Sequence, residues 1–205
     1  MDTRRVRREK GRMRSRRIRA ILAGGLVLGV GATATLAAWN DSEHGAATFT
    51  AGRFDIVGAT DGTTFSSHAT AGTAAALNFQ LPPTAMAPGT TTYALFSVRT
   101  ANPSVAGVLQ LTPGTPGGTG LATYLTYGVR TITGTSCTAA TYPAGTAVVP
   151  DGSTLTTAGT TTQAVAANGA AQVNYCFAVT LPTAAGNGAQ GLTMIQTWQI
   201  QGTSS

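Results

Sequence analysis

All but three of the chain's 13 lysines and arginines fall before Ala20, so everything after that point must fold with almost no cationic surface. Lys10 is the last lysine, and only Arg53, Arg99 and Arg130 follow the basic run. Ten basic and two acidic residues give residues 1–19 a formal charge of +8, while three basic and five acidic residues leave the rest at −2. The high isoelectric point therefore belongs to the leader, and it carries no message about nucleic acid or membrane partners of the remainder.

Behind the arginines lies an uncharged run, Ala20 to Ala38, rich in small apolar residues. A basic n-region (1–19) followed by an apolar h-region (20–35) is the pattern of a secretory signal peptide. The arginines stay on the cytoplasmic side and the chain behind them faces outward. Thr35 and Ala37 supply small residues at −3 and −1, which places cleavage between Ala37 and Ala38. The expected organisation is thus a signal peptide, 1–37, and one secreted domain, 38–205. A basic arm for nucleic acid would use the same arginines but leaves the apolar run unexplained. About 19 apolar residues would just span a bilayer, yet four glycines and two threonines weaken that segment, so the membrane is touched only through an uncleaved leader. Ser15-Arg16-Arg17 hints at a twin-arginine signal, but Arg19 stands where such a signal carries an apolar residue.

The rest of the chain is Thr-, Ala- and Gly-rich, with no 3.6-residue apolar stripe. Period-two alternation dominates instead. Val173, Tyr175, Phe177, Val179 and Leu181 share one face; Gln172, Asn174, Cys176, Ala178 and Thr180 share the other, and Pro182 ends the run. Leu121, Leu125, Tyr127 and Val129 alternate similarly. Leu77, Phe79 and Leu81 form a shorter run before Pro82-Pro83. Strands are expected over Tyr93–Thr100 and Val105–Thr112. Leu192, Met194, Trp198 and Ile200 alternate with polar residues, although Ile195 and Gln196 break the pattern. Segments 113–120 and 158–169 read as loops, the second with a strand-like excursion at Gln163-Ala164-Val165. About eight strands with short Gly/Pro/Asn turns predict an all-β fold, a two-sheet antiparallel sandwich of jelly-roll type, preceded by the signal-peptide helix.

Cys137 and Cys176 are the only cysteines. An even count in an exported chain points to one disulfide, closing a loop of roughly 38 residues. In the first strand, Phe49 and Ala51 share a face while Phe54 and Ile56 take the opposite parity. That switch predicts a bulge or bend at Ala51-Gly52.

Leu36-Ala-Ala-Trp-Asn-Asp41 followed by Ala47-Thr-Phe-Thr-Ala-Gly-Arg-Phe-Asp-Ile56 resembles the N-terminus of the TasA/camelysin family. The matching positions are Ala37 and Ala38, Trp39, Asn40-Asp41, Phe49, Gly52, Asp55 and Ile56. Ala87-Pro88-Gly89 ahead of a strand resembles that family's Pro-Gly turn. The match covers about 20 residues, and the Cys pair departs from the better-known members. The resemblance implies export through a SipW-type signal peptidase, a jelly-roll-like sandwich, and a role in the extracellular or biofilm matrix. The segment carrying Trp39, Phe49, Phe54 and Ile56 would then be an arm able to pair with its own sheet or with a neighbour's edge.

Catalytic chemistry is sparse. There is no H-E-x-x-H motif, although camelysins carry a metalloprotease label, and no G-x-S-x-G elbow or phosphate loop. His44 with Asp41 and Glu43, or His68 with Asp61, is the only metal grouping within reach in sequence. Asp55 and Asp61-Gly62 are weak calcium candidates. No catalytic residue, metal or cofactor is assigned. Trp39 and Trp198 could stack on a sugar, but Trp198 alternates with core residues. The sequence thus favours a non-enzymatic structural or adhesive protein of the cell surface or matrix. A binding module for glycan, cell wall or protein is the alternative, and a metalloendopeptidase a more distant one.

Overall fold

The computed structural model describes residues 3–34, 40–81 and 86–205. The chain forms two compact units, Met1–Phe49 and Thr50–Ser205. The first contains α1 (Thr3–Ala34), which carries the basic run and most of the apolar run in one helix. Among the described residues no helix is long and apolar enough to cross a membrane. Ala37, Ala38 and Trp39, and with them the expected cleavage site, lie outside the described residues.

The second unit is mostly β, with antiparallel sheets only. β1 (Ile56–Ala59), β2 (Thr90–Thr100), β5 (Thr126–Ile132), β6 (Thr146–Ser153) and β8 (Val173–Leu181) form an open five-stranded sheet in the order β1-β2-β8-β5-β6. β3 (Gly107–Pro113), β7 (Gln163–Val165) and β10 (Trp198–Ser204) form a second sheet in the order β10-β3-β7. β4 (Gly117–Gly118) and β9 (Met194–Ile195) make a small ribbon.

β8 sits at the centre of the larger sheet, and its alternation sets the architecture. Val173, Tyr175, Phe177, Val179 and Leu181 join a core that also takes Leu109, Leu111 and Ile200 from the second sheet. Cys176 and Ala178 enter a smaller cluster on the opposite face, with Leu95, Cys137 and Tyr142. A strand covered on both faces needs no polar side for water. Its one buried amide, Asn174, is satisfied: Oδ1 accepts from Ser97 Oγ at 2.7 Å and from Gln172 Nε2 at 2.8 Å. Ser97 is its cross-strand partner.

The expected disulfide joins Cys137 to Cys176, with Cα atoms 5.3 Å apart. Trp198 is in the core as its alternation suggests, its ring 5.1 Å from Phe177 and 6.1 Å from Tyr127. The broken pattern at Ile195-Gln196 marks a change of sheet: Met194–Ile195 pairs with β4, and Trp198 onward pairs with β3. The excursion at Gln163-Ala164-Val165 is β7.

Three expectations need correction, and β6 was not anticipated. The first strand does not begin at Phe49: residues 40–55 contain no strand, and regular pairing starts at Ile56. Gly52 and Arg53 nevertheless run beside the loop before β3, since Val105 N donates to Arg53 O and Ala101 N to Asp55 O, both at 2.9 Å. Residues 77–81 are not a strand; Leu77 and Phe79 pack on the core, while Leu81 is exposed. Leu121 lies in a 3-10 turn ahead of β5. β6 carries no alternation in sequence, because Pro150-Asp151-Gly152 interrupts it, yet it pairs with β5 across a bulge.

Candidate functional site

Three loops converge over the middle of β2 on the disulfide face of the large sheet. The first follows β1. There Asp61 Oδ1 accepts the backbone N–H groups of Thr63 and Thr64 at 2.8 and 2.7 Å. This local turn is what a short acidic side chain before Gly favours. The Thr64 hydroxyl foremost, then the N–H groups of Thr64 and Thr63, hold the Asp61 carboxyl well below the usual carboxylate range. Gln172 Nε2 fixes the turn from β8's side by donating to Gly62 O at 3.3 Å.

The second wall is the segment around Asn78 and Gln80. It is laced to β2: Gln80 N donates to Tyr93 O at 3.0 Å, and Leu81 N donates to Thr92 Oγ1 at 3.0 Å. The third wall is the loop after β5. Its Cys137 is bonded to Cys176, which lies opposite Leu95 in the β2–β8 register. Gln80 Nε2 donates to Cys137 O at 3.1 Å and ties the second wall to the third. Hydroxyl bonds of Thr141 to Ser136 O at 2.6 Å and to Thr138 N at 2.9 Å stiffen this loop.

Between the walls is a cleft of about 240 Å³. Tyr93, Ala94 and Leu95 form its floor, and Thr60, Thr135 and Ser136 stand at its sides with Asp61, Asn78 and Gln80. No basic residue lines it.

The floor is braced from behind. The Tyr93 ring leans on Tyr142 with centroids 5.5 Å apart and planes inclined by 55°. Tyr142 OH donates to Asp151 Oδ1, and Arg130 donates to Asp151 Oδ2 at 2.7 Å. Arg130 also donates to Gly145 O at 3.2 Å and lies 5.1 Å over the Tyr142 ring. Burial pushes the Tyr142 hydroxyl up, and the Asp151 hydrogen bond and charge add to that, against Arg130. Burial opposes ionisation of Asp151, but the bonds from Arg130 and Tyr142 and the Arg130 charge hold its carboxyl below its ordinary value.

Of the residues singled out from sequence, Asp61 and Cys137 line this cleft and the others fall elsewhere. His68 is engaged with Ser66 Oγ and Thr73 O, each at 3.0 Å, while Asp61 bonds to its own turn. Asp55 pairs with Arg53 at 2.9 Å. Asp41, Glu43 and His44 are exposed in a segment without helix or strand. Among the described residues no three His, Cys, Asp or Glu side chains group as a metal site would require. Phe49 is exposed, whereas Phe54 and Ile56 pack on the core. The cleft was missed because its members are common polar residues spread from position 60 to 138. The disulfide and the Asp61-Gly62 turn were the signals in sequence that pointed to this face.

No protein-family model matches the chain, and no curated protein matches it significantly.

Proposed function

We propose that this chain is an exported, non-enzymatic structural or adhesive protein that self-associates through the segment behind its leader. The observation that carries the reading is the state of that segment. Residues 40–53 are exposed throughout and contain no helix or strand, and Phe49 is 91% exposed. A large aromatic left in water gains by finding an apolar partner.

An acceptor edge exists on the second sheet. β10 ends the strand order β10-β3-β7, so among the described residues its outer side pairs with no strand. Its sequence, Trp-Gln-Ile-Gln-Gly-Thr-Ser, contains no charge and no proline. Those are the devices that ordinarily guard an edge. Addition of a strand from a neighbouring copy, repeated head to tail, would build a filament. A shared core between the five-stranded and three-stranded sheets supports a two-sheet sandwich, and the N-terminal pattern supports a jelly-roll matrix protein of the TasA/camelysin type. Processing by a SipW-type signal peptidase and an extracellular or cell-surface location belong to the same reading.

The test is to secrete the protein from a bacterial host and image the product. Rods or multimers are expected, and they should vanish on deletion of residues 38–49. A strictly monomeric product at high concentration would sink the reading. Casein breakdown that a chelator abolishes would replace it with the metalloendopeptidase alternative.

A further inference from the structure

We propose that the cleft over Tyr93 binds a neutral saccharide unit. The inference is independent of assembly, since the cleft lies on the disulfide face of the five-stranded sheet, whereas the free edge belongs to the three-stranded one.

Its lining selects the ligand by exclusion and by fit. With no lysine, arginine or histidine around it, the cleft offers nothing to hold a phosphate, sulfate or carboxylate. One carboxylate, with Oδ1 already taken by two backbone N–H groups, falls short of the oxygen set that a calcium ion demands. The floor supplies a single aromatic ring and two residues buried beneath it, too little apolar surface to anchor a hydrophobic side chain.

What remains suits vicinal hydroxyls. Amides and carboxylates accept and donate to adjacent sugar hydroxyls, and an aromatic ring with a polar tip offers a face to the sugar's C–H groups. Asn78, Asp61 and Ser136 stand exposed at the rim, and among the described residues Asn78 Oδ1, Gln80 Oε1, Ser136 Oγ and the Tyr93 hydroxyl make no hydrogen bond. The volume of about 240 Å³ falls below the roughly 300 Å³ at which drug-sized pockets begin. That is room for one ring of a chain running on past the cleft.

The site is also preorganised. Each wall is held by its own link: the Asp61 turn, the Gln80–Tyr93 and Gln80–Cys137 bonds, and the disulfide. Rigid walls reduce the ordering cost of binding a flexible, weakly held ligand.

The test is calorimetric titration of the full-length chain, disulfide intact, with tetrasaccharides of glucose, galactose and N-acetylglucosamine. At least one should bind with a millimolar or tighter dissociation constant. Replacing Asn78→Ala together with Ser136→Ala, both exposed and outside the core, should weaken it about tenfold or more. Gln201→Ala, on β10, should leave it unchanged. Absence of binding to all three sugars at about ten millimolar, or binding that the double variant does not alter, would overturn the proposal.

Discussion

The ring of Phe54 occupies the space that a side chain at Gly202 would fill. A Cβ on Gly202 would lie 2.7 Å from Phe54 Cε1, 2.9 Å from Cζ and 3.3 Å from Ile56 Cδ1. Gly107 leaves room for the same ring from β3. The two glycines share a sheet face, because Gly107 pairs with Ser204, two residues from Gly202. This seat fixes where the N-terminal segment stops being free and becomes part of the fold.

Gly202→Ala should therefore unseat Phe54. Overpacking of this kind costs about 1–3 kcal/mol. The expected readouts are a lower thermal midpoint and faster proteolysis between residues 50 and 56. Gly117→Ala, with no atom within 4 Å of its would-be Cβ, is the control and should change neither. Equal behaviour of the two variants would show that Phe54 is not held there.

That relationship also shows what could be read in the sequence. The parity switch between Phe49 and Phe54 predicted a bulge within a strand, whereas residues 40–55 form no strand and pairing starts at Ile56. It could not show that the partner of Phe54 is a pair of glycines some 50 and 150 residues away. β8 was legible because it is long, uninterrupted and rich in β-branched and aromatic residues. β6 was not, since Pro150 and Gly152 read as turn residues and its pairing is decided by β5 across a bulge. Leu77 and Phe79 imitate a strand because they pack on the core with the right spacing, although their backbone forms no regular ladder. The cleft and the Arg130–Asp151–Tyr142 brace are products of topology, so no local pattern announces them.

Tyr175 should tolerate loss of its hydroxyl. The side chain is fully buried, and among the described residues its OH meets no hydrogen-bond partner. A buried hydroxyl without a partner carries its desolvation cost uncompensated. Tyr175→Phe is expected to raise stability by about 1 kcal/mol, seen as a higher urea midpoint at unchanged slope. A marked loss would mean that the hydroxyl has a partner, such as a buried water.

Removing the disulfide should cost far more than either change. Cys137 and Cys176 are 39 residues apart. In the chain-entropy account, opening a loop of that length destabilises by about 4 kcal/mol. The Cys137→Ser/Cys176→Ser double variant should show this in denaturant unfolding. The loop after β5 should lose amide protection first, because the bond to Cys176 is its covalent anchor on the sheet. Protection lost uniformly across both sheets would instead mean that this loop unfolds with the whole domain.

Alkaline pH should expose the buried tyrosines in a defined order of events. Burial pushes Tyr127 up to about 12. Burial also raises Tyr175, and burial together with Asp151 raises Tyr142. A phenol whose folded value is raised ionises more readily in the unfolded chain, so above the unfolded value its ionisation favours unfolding. Its contribution is complete below the unfolded value near 10 and is lost as pH rises from there through the folded value. Stability should thus decline from about pH 10 upward, with no matching effect of these groups at neutral pH. Absorbance at 295 nm, followed in native buffer and in urea, checks this against the chain's five tyrosines. In urea one transition near 10 is expected. In native buffer the signal of Tyr127, Tyr142 and Tyr175 should lag and then appear together with loss of near-UV circular dichroism, because these phenols ionise when the core opens. Superimposable curves in the two solvents would show that the three phenols are not buried.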